Sequence, residues 1–92
     1  MSLIFKKRTL DNMELEVIAY GIARDILGHP HLKLVVATPL TVAALLEELK
    51  SRYPAFRELA SLAIAVNASY ATPEQVIVAG DEVVIIPPVA GG

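Results

Sequence analysis

Six residues close the chain as Pro87-Pro88-Val89-Ala90-Gly91-Gly92, and they are the ones whose types and spacing suit a reaction at the chain's own end. A carboxylate is a poor acyl donor until it is activated, for instance as a mixed anhydride with AMP. The activating enzyme must then bring a nucleotide and a nucleophile against the terminal carbonyl. Glycine has no Cβ to block that approach, so Gly91-Gly92 leaves the Gly92 carboxylate open from every side. Pro87 and Pro88 fix φ near the polyproline value and donate no backbone hydrogen bond, so the approach to Gly92 is stiff and extended. Ordering a tail in a partner's groove costs about 1–2 kcal/mol per backbone residue; pre-extension by the prolines lowers that cost.

A chain terminus is more often simply frayed, and Gly-Gly alone would not argue otherwise. The difference lies in what precedes it. Val83-Val84-Ile85-Ile86 is a short run of β-branched residues bounded by a Gly80-Asp81 turn, which reads as a buried strand. The tail carries no charged side chain. A buried strand, two prolines and an uncharged, tapering end together describe a peptide held out for a partner.

Other residues offer less. His29-Pro30-His31 is a weak metal pattern with no third ligand close in sequence, and a connecting turn explains it better. Glu47 and Glu48 are adjacent on an expected helix, about 100° apart, which is wrong for an acid–base pair. Arg24 projects from an expected helical turn, either as a surface charge paired with a nearby acid or as a contact to a partner. Lys6-Lys7-Arg8 reads as a solvated basic cluster. Without cysteine, the chain cannot form disulfides, thiolate metal sites, cysteine persulfides or cysteine-bound iron–sulfur clusters.

The elements that must position the tail follow in order. Residues 1–12 read as an upstream extension or a remnant foreign to the native protein, with Met13 as a candidate native start; alternatively Leu3-Ile4-Phe5 adds a small strand. Glu14 to Tyr20 is a first strand with Leu15, Val17 and Ala19 on one face. Ile22 to Leu27 makes one or two helical turns closed by Gly28. Leu32 to Val36 is a second strand. Thr41 caps a helix with Val42, Leu45, Leu46 and Leu49 on one stripe, and Pro54 stops it. Phe56 to Leu62 suggests a second, shorter helix with Phe56, Leu59 and Leu62 inward. Ala63 to Asn67 is a third long strand, followed by a tight turn at Asn67-Ala68 and a loop over residues 70–75. Val76-Ile77-Val78 reads as an edge strand. The whole predicts one compact α+β domain.

Composition narrows the function. Ninety-two residues, 54% of them hydrophobic, give one core and an apolar surplus that a partner could cover. No apolar run approaches the ~20 residues of a membrane span, and the N-terminus lacks the form of a secretory signal. A cytoplasmic protein without a membrane role follows. Net charge is −2, and from Glu58 onward there are four acids and no Lys or Arg. That balance argues against nucleic acid and suggests a receiving partner that is basic nearby.

Val66-Asn67, Ala79-Gly80-Asp81-Glu82-Val83 and the Pro-Pro-Val-Ala-Gly-Gly end resemble the C-terminal half of the molybdopterin synthase small-subunit family. Tyr20 to Gly28 resembles that family's segment after its first strand. Members are ubiquitin-like sulfur carriers with the β-grasp fold. The resemblance implies a mixed sheet covered on one face by the main helix, with first and last strands parallel at its centre. It divides the chain into an N-terminal extension or foreign remnant 1–12, a β-grasp domain 13–86 and an extended, flexible tail 87–92. It implies that an adenylating enzyme uses ATP on Gly92, that a sulfur donor converts the adenylate to a thiocarboxylate, and that no cofactor is bound by the chain itself. It further implies that Pro87 to Gly91 enter a large catalytic subunit, in a heterotetramer, where the sulfur passes to a cyclic pterin precursor. Arg24 is a possible contact there. Carriers for thiamine thiazole, cysteine or tRNA thiolation, a ubiquitin-like protein modifier, and a passive binding module remain as alternatives. A stand-alone enzyme fits least.

Overall fold

The computed structural model describes residues 12–88. Strand β1 (Asn12–Ala19) leads into a short helix α1 (Gly21–Leu27), then β2 (His31–Ala37) and a two-residue strand β3 (Leu40–Thr41). Helix α2 (Val42–Arg52) and a 3-10 turn (Pro54–Glu58) follow. The chain returns through β4 (Ala63–Val66), β5 (Ser69–Tyr70), β6 (Val76–Ile77) and β7 (Val83–Ile86). The main sheet has the order β2-β1-β7-β4-β5, with β1 and β7 parallel and the remaining pairs antiparallel. This is the β-grasp arrangement the resemblance implies.

Each element has a local cause. Gly28 closes α1 in the left-handed region at φ +86°, its N–H donating to the Arg24 carbonyl. The Thr41 hydroxyl accepts from the Ala44 N–H at 3.1 Å, satisfying one free donor of α2's first turn. Val42, Leu45 and Leu49 then fall on one stripe and are buried. They pack with Leu15 and Val17 of β1, Leu34 and Val36 of β2, Ile64 and Val66 of β4, and Val83 and Ile85 of β7 in one core. Full burial of each such side chain contributes about 1.5–3 kcal/mol before entropy is charged against it.

Three expectations are revised. The segment after Pro54 is a 3-10 turn ending at Glu58 rather than a helix running to Leu62. Phe56 is buried as expected, and Leu59 and Leu62 pack on the core from irregular chain. Val76-Ile77 is not an edge of the main sheet; it pairs with Leu40-Thr41 in a separate two-stranded ribbon. The main sheet instead ends at β5, which the loop expected from Tyr70 onward did not include.

Candidate functional site

The site is the place where β7 leaves the sheet. Val83 to Ile86 is paired on both sides: Val17, Ile18 and Ala19 of β1 run parallel to Val83, Val84 and Ile85, and Ala63 to Val66 of β4 run antiparallel. Val83 and Ile85 have no exposed surface. A strand hydrogen-bonded on both edges and buried on one face cannot shift register without moving both neighbours. The tail's point of departure is therefore fixed.

Pro87 and Pro88, both half-buried, continue from Ile86. The parallel register sets Ile85 beside Ala19, so the prolines leave where β1 turns into α1. That turn carries exposed Tyr20, Ile22 and Arg24. Among the described residues, no acid pairs with the Arg24 guanidinium. Val89, Ala90, Gly91 and Gly92 lie outside the described residues.

The start of β7 is held by side chains. Gly80 occupies the third position of a turn closed by the Asp81 N–H donating to the Val78 carbonyl at 3.1 Å, with φ +90°, as a type II turn requires. The Asp81 carboxylate accepts from the Val78 N–H at 2.9 Å and from the Asn67 amide at 3.0 Å. The Asn67 side-chain oxygen accepts from the Glu82 N–H at 2.9 Å, and the Asn67 N–H donates to the Glu82 carbonyl at 2.8 Å. The Val78 bond, and then the Asn67 bond, hold the Asp81 carboxyl below its ordinary value. Sequence reasoning took Asn67 and Asp81 as turn and motif residues without linking them; their pairing ties the two turns together.

The sheet face away from α2 is the second feature. Ile18, Val84 and Ile86 are half-buried there, with Ala63 and Ala65 beside them and Tyr70 73% exposed at the edge. Register places these side chains in one band across β1, β7, β4 and β5. The band continues towards Pro87 and Pro88. Toward β2 the face becomes mixed, with Glu14, Glu16, His31 and Lys33 beside Val35, which is 61% exposed; the His31 Nδ1 lies 3.3 Å from Glu16 Oε2.

Two of the acids of the C-terminal third lie away from the exit. Asp81 and Glu82 precede β7, and a rise of about 3.3 Å per residue puts Glu82 roughly 16 Å from Pro87. At the exit, exposed Tyr20 and Ile22 stand with the oppositely charged Arg24 and Asp25 of α1. Among the described residues no buried side chain is polar or charged, no three His, Cys, Asp or Glu residues gather as metal ligands, and no helix is long and apolar enough to cross a membrane.

The ThiS family model matches residues 17–92. The chain is 33% identical over 82 residues to the molybdopterin synthase sulfur carrier subunit of Arabidopsis thaliana, across 88% of this chain and 85% of that protein. Among solved structures it resembles a candidate molybdopterin converting factor subunit 1 from Pyrococcus furiosus, at 27% identity and a TM-score of 0.76, covering 84% of this chain and 99% of that one. It also resembles small archaeal modifier protein 1 from Methanosarcina acetivorans, at 25% identity and a TM-score of 0.70, covering 88% and 98% of the two chains. The fixed last strand, the motif residues that anchor it and these relatives lead to one conclusion: the chain belongs to the ThiS family and is a small sulfur-carrier protein related to the molybdopterin synthase sulfur carrier subunits.

Proposed function

We propose that this chain is the sulfur-donating small subunit of a molybdopterin synthase. A partner enzyme in the cytoplasm adenylates the Gly92 carboxylate with ATP, releasing pyrophosphate. A donor enzyme's persulfide displaces AMP to form an acyl disulfide, and a second thiol reduces that S–S bond, leaving a thiocarboxylate and a disulfide on the donor side. The tail then enters the large subunit, in a heterotetramer, and the sulfur passes to a cyclic pterin precursor as Gly92 returns to a carboxylate. The reacting groups on the pterin side belong to that subunit.

The observation that carries this reading is the clamping of β7 between β1 and β4 immediately before Pro87. A carrier must present its terminal carbonyl at a set distance from its docking surface, and a doubly paired strand provides that fixed base. The apolar band of Ile18, Val84, Ile86 and Tyr70 is the surface we assign to docking, with Arg24 at its margin. Reconstitution with a cognate large subunit tests the proposal. Thiocarboxylated chain should convert the pterin precursor, and chain lacking Gly92 should not; conversion by the truncated chain would end it.

A second reading has one observation in its favour, the similarity to small archaeal modifier protein 1. There the same activated Gly92 would meet a lysine amine and form an isopeptide bond. Chain conjugated to cellular proteins, with no pterin conversion in the reconstituted assay, would favour it.

A further inference from the structure

Ala63, the first residue of β4, pairs with Ile86, the last of β7. Ser61 and Leu62 therefore arrive at the end of the sheet from which Pro87 and Pro88 leave. The 3-10 turn that carries Arg57 packs against α1, which follows the exit-side end of β1, and against α2. Lys50, Arg57 and Ser61, with Phe56, Leu59 and Leu62, line a hollow of about 210 Å³. It lies on the α2 side of the sheet, across from the apolar band of the open face.

Charge in this hollow is one-sided. Lys50 is half-buried, Arg57 is exposed, and among the described residues no acid lines the hollow. Arg52 on α2 is paired with Glu48 at 2.6 Å. Among the described residues Lys50 and Arg57 have no such partner, and Glu47 and Glu58 stand close in sequence without pairing with them. Two cations at one hollow repel each other, and burial raises the cost of the Lys50 charge. An anion there relieves both. The half-buried Leu59 and Leu62 offer contact to a short methylene stem, while the ammonium, the guanidinium and the Ser61 hydroxyl can donate to carboxylate oxygens. That combination fits an Asp or Glu side chain better than a free oxyanion.

We propose that the hollow of Lys50, Arg57 and Ser61 receives an acidic side chain from the rim of the partner that takes the tail. This rests on the proposed role of a large subunit that accepts the chain's end. Such a subunit must close around Pro87 and Pro88, which brings its surface over the hollow on one side and the apolar band on the other. Its rim is acidic here, opposite to the basic surface that the acids of the C-terminal third suggest from sequence. The ion contact sets the rotation of the carrier about its tail, which apolar burial, being non-directional, leaves loose.

Carbodiimide treatment of the complex with a cognate large subunit tests this, because the reagent condenses an amine and a carboxylate that lie in contact. Peptide mass spectrometry should find an amide between Lys50 and an Asp or Glu of the large subunit. Lys50→Glu combined with Arg57→Glu should raise Kd about tenfold or more and flatten its dependence on salt, with Tm unchanged. Lys50→Arg should keep the affinity and lose the amide. A complex that forms without an amide at Lys50, or a doubly reversed chain that binds as tightly as the parent, would overturn this inference alone. A parent chain that does not bind the large subunit would overturn the proposed function and this inference with it.

Discussion

Asn67 and Asp81, fourteen residues apart, are joined by a 3.0 Å hydrogen bond from the Asn67 amide to the Asp81 carboxylate. Asn67 also holds the Glu82 N–H, so the turn after β4 and the turn before β7 are a single clamp. The Gly-Asp-Glu-Val signature of the family resemblance thereby acquires a structural role in this chain: it fixes where the last strand begins, and hence where Pro87 leaves the sheet.

The clamp makes stability depend on pH. Because the folded Asp81 carboxyl is held below its ordinary value near 3.8, its contribution is present above that value and is lost as pH falls through the folded pKa. Asp81→Asn should lower Tm at neutral pH, and the gap between variant and parent should close on acidification. Thermal melts from neutral to strongly acidic pH measure this. A gap that is constant or widens towards acid would contradict the assigned role.

Two turn positions should respond in opposite directions. Gly80 has φ +90° and a Cβ there would meet no neighbour, so Gly80→Ala carries only the backbone penalty, about 1–2 kcal/mol of destabilisation. Ala68 stands at φ +71° beside Asn67 at φ +52°, the pair of positive values that a two-residue hairpin of type I′ demands. Ala68→Gly should therefore stabilise the protein, by about 0.5–1 kcal/mol after glycine's entropy cost. Denaturant unfolding of both variants checks the signs.

The apolar band on the open face should matter for binding more than for folding. Val84 is half-buried in a paired strand, and Val84→Glu should cost about 1 kcal/mol or less of stability. Affinity for the receiving subunit should fall by about tenfold or more. Leu45→Ala, in the core with no exposed surface, is the contrast: about 2–5 kcal/mol of stability lost through the cavity it leaves. Calorimetry for binding, beside melts for folding, separates the two.

Gly91→Val should leave Tm unchanged while blocking transfer from the tail, because the strand that anchors the tail ends at Ile86. Parallel measurement of Tm and of pterin conversion decides it. A large loss of stability would mean that the tail belongs to the core.

Local signals in the sequence translated well. The Thr41 cap, the Gly28 stop, the stripe of Val42, Leu45 and Leu49, and the left-handed Asn67 each depend on residues a few positions apart, and each stands where expected. The two-residue strands β3 and β5 had no comparable signal, since Leu40-Thr41 is a strand only because Val76-Ile77 lies across from it. The Asn67–Asp81 clamp was hidden for the same reason. The open face was hidden differently: Val84 and Ile86 look the same in sequence as Val83 and Ile85, and only the placement of α2 on one side separates open face from core. The placement of acids also needed the fold, because Asp81 and Glu82 are near the tail in sequence but a strand's length away in space.

The measurement that tests the central claim most directly is intact mass after incubation with ATP, a cognate adenylating enzyme and a sulfur donor, for the full chain and for chain lacking Gly92. The account predicts replacement of one oxygen by sulfur in the full chain alone. No replacement in the full chain, with a partner enzyme shown to be active, or replacement that persists without Gly92, would contradict it.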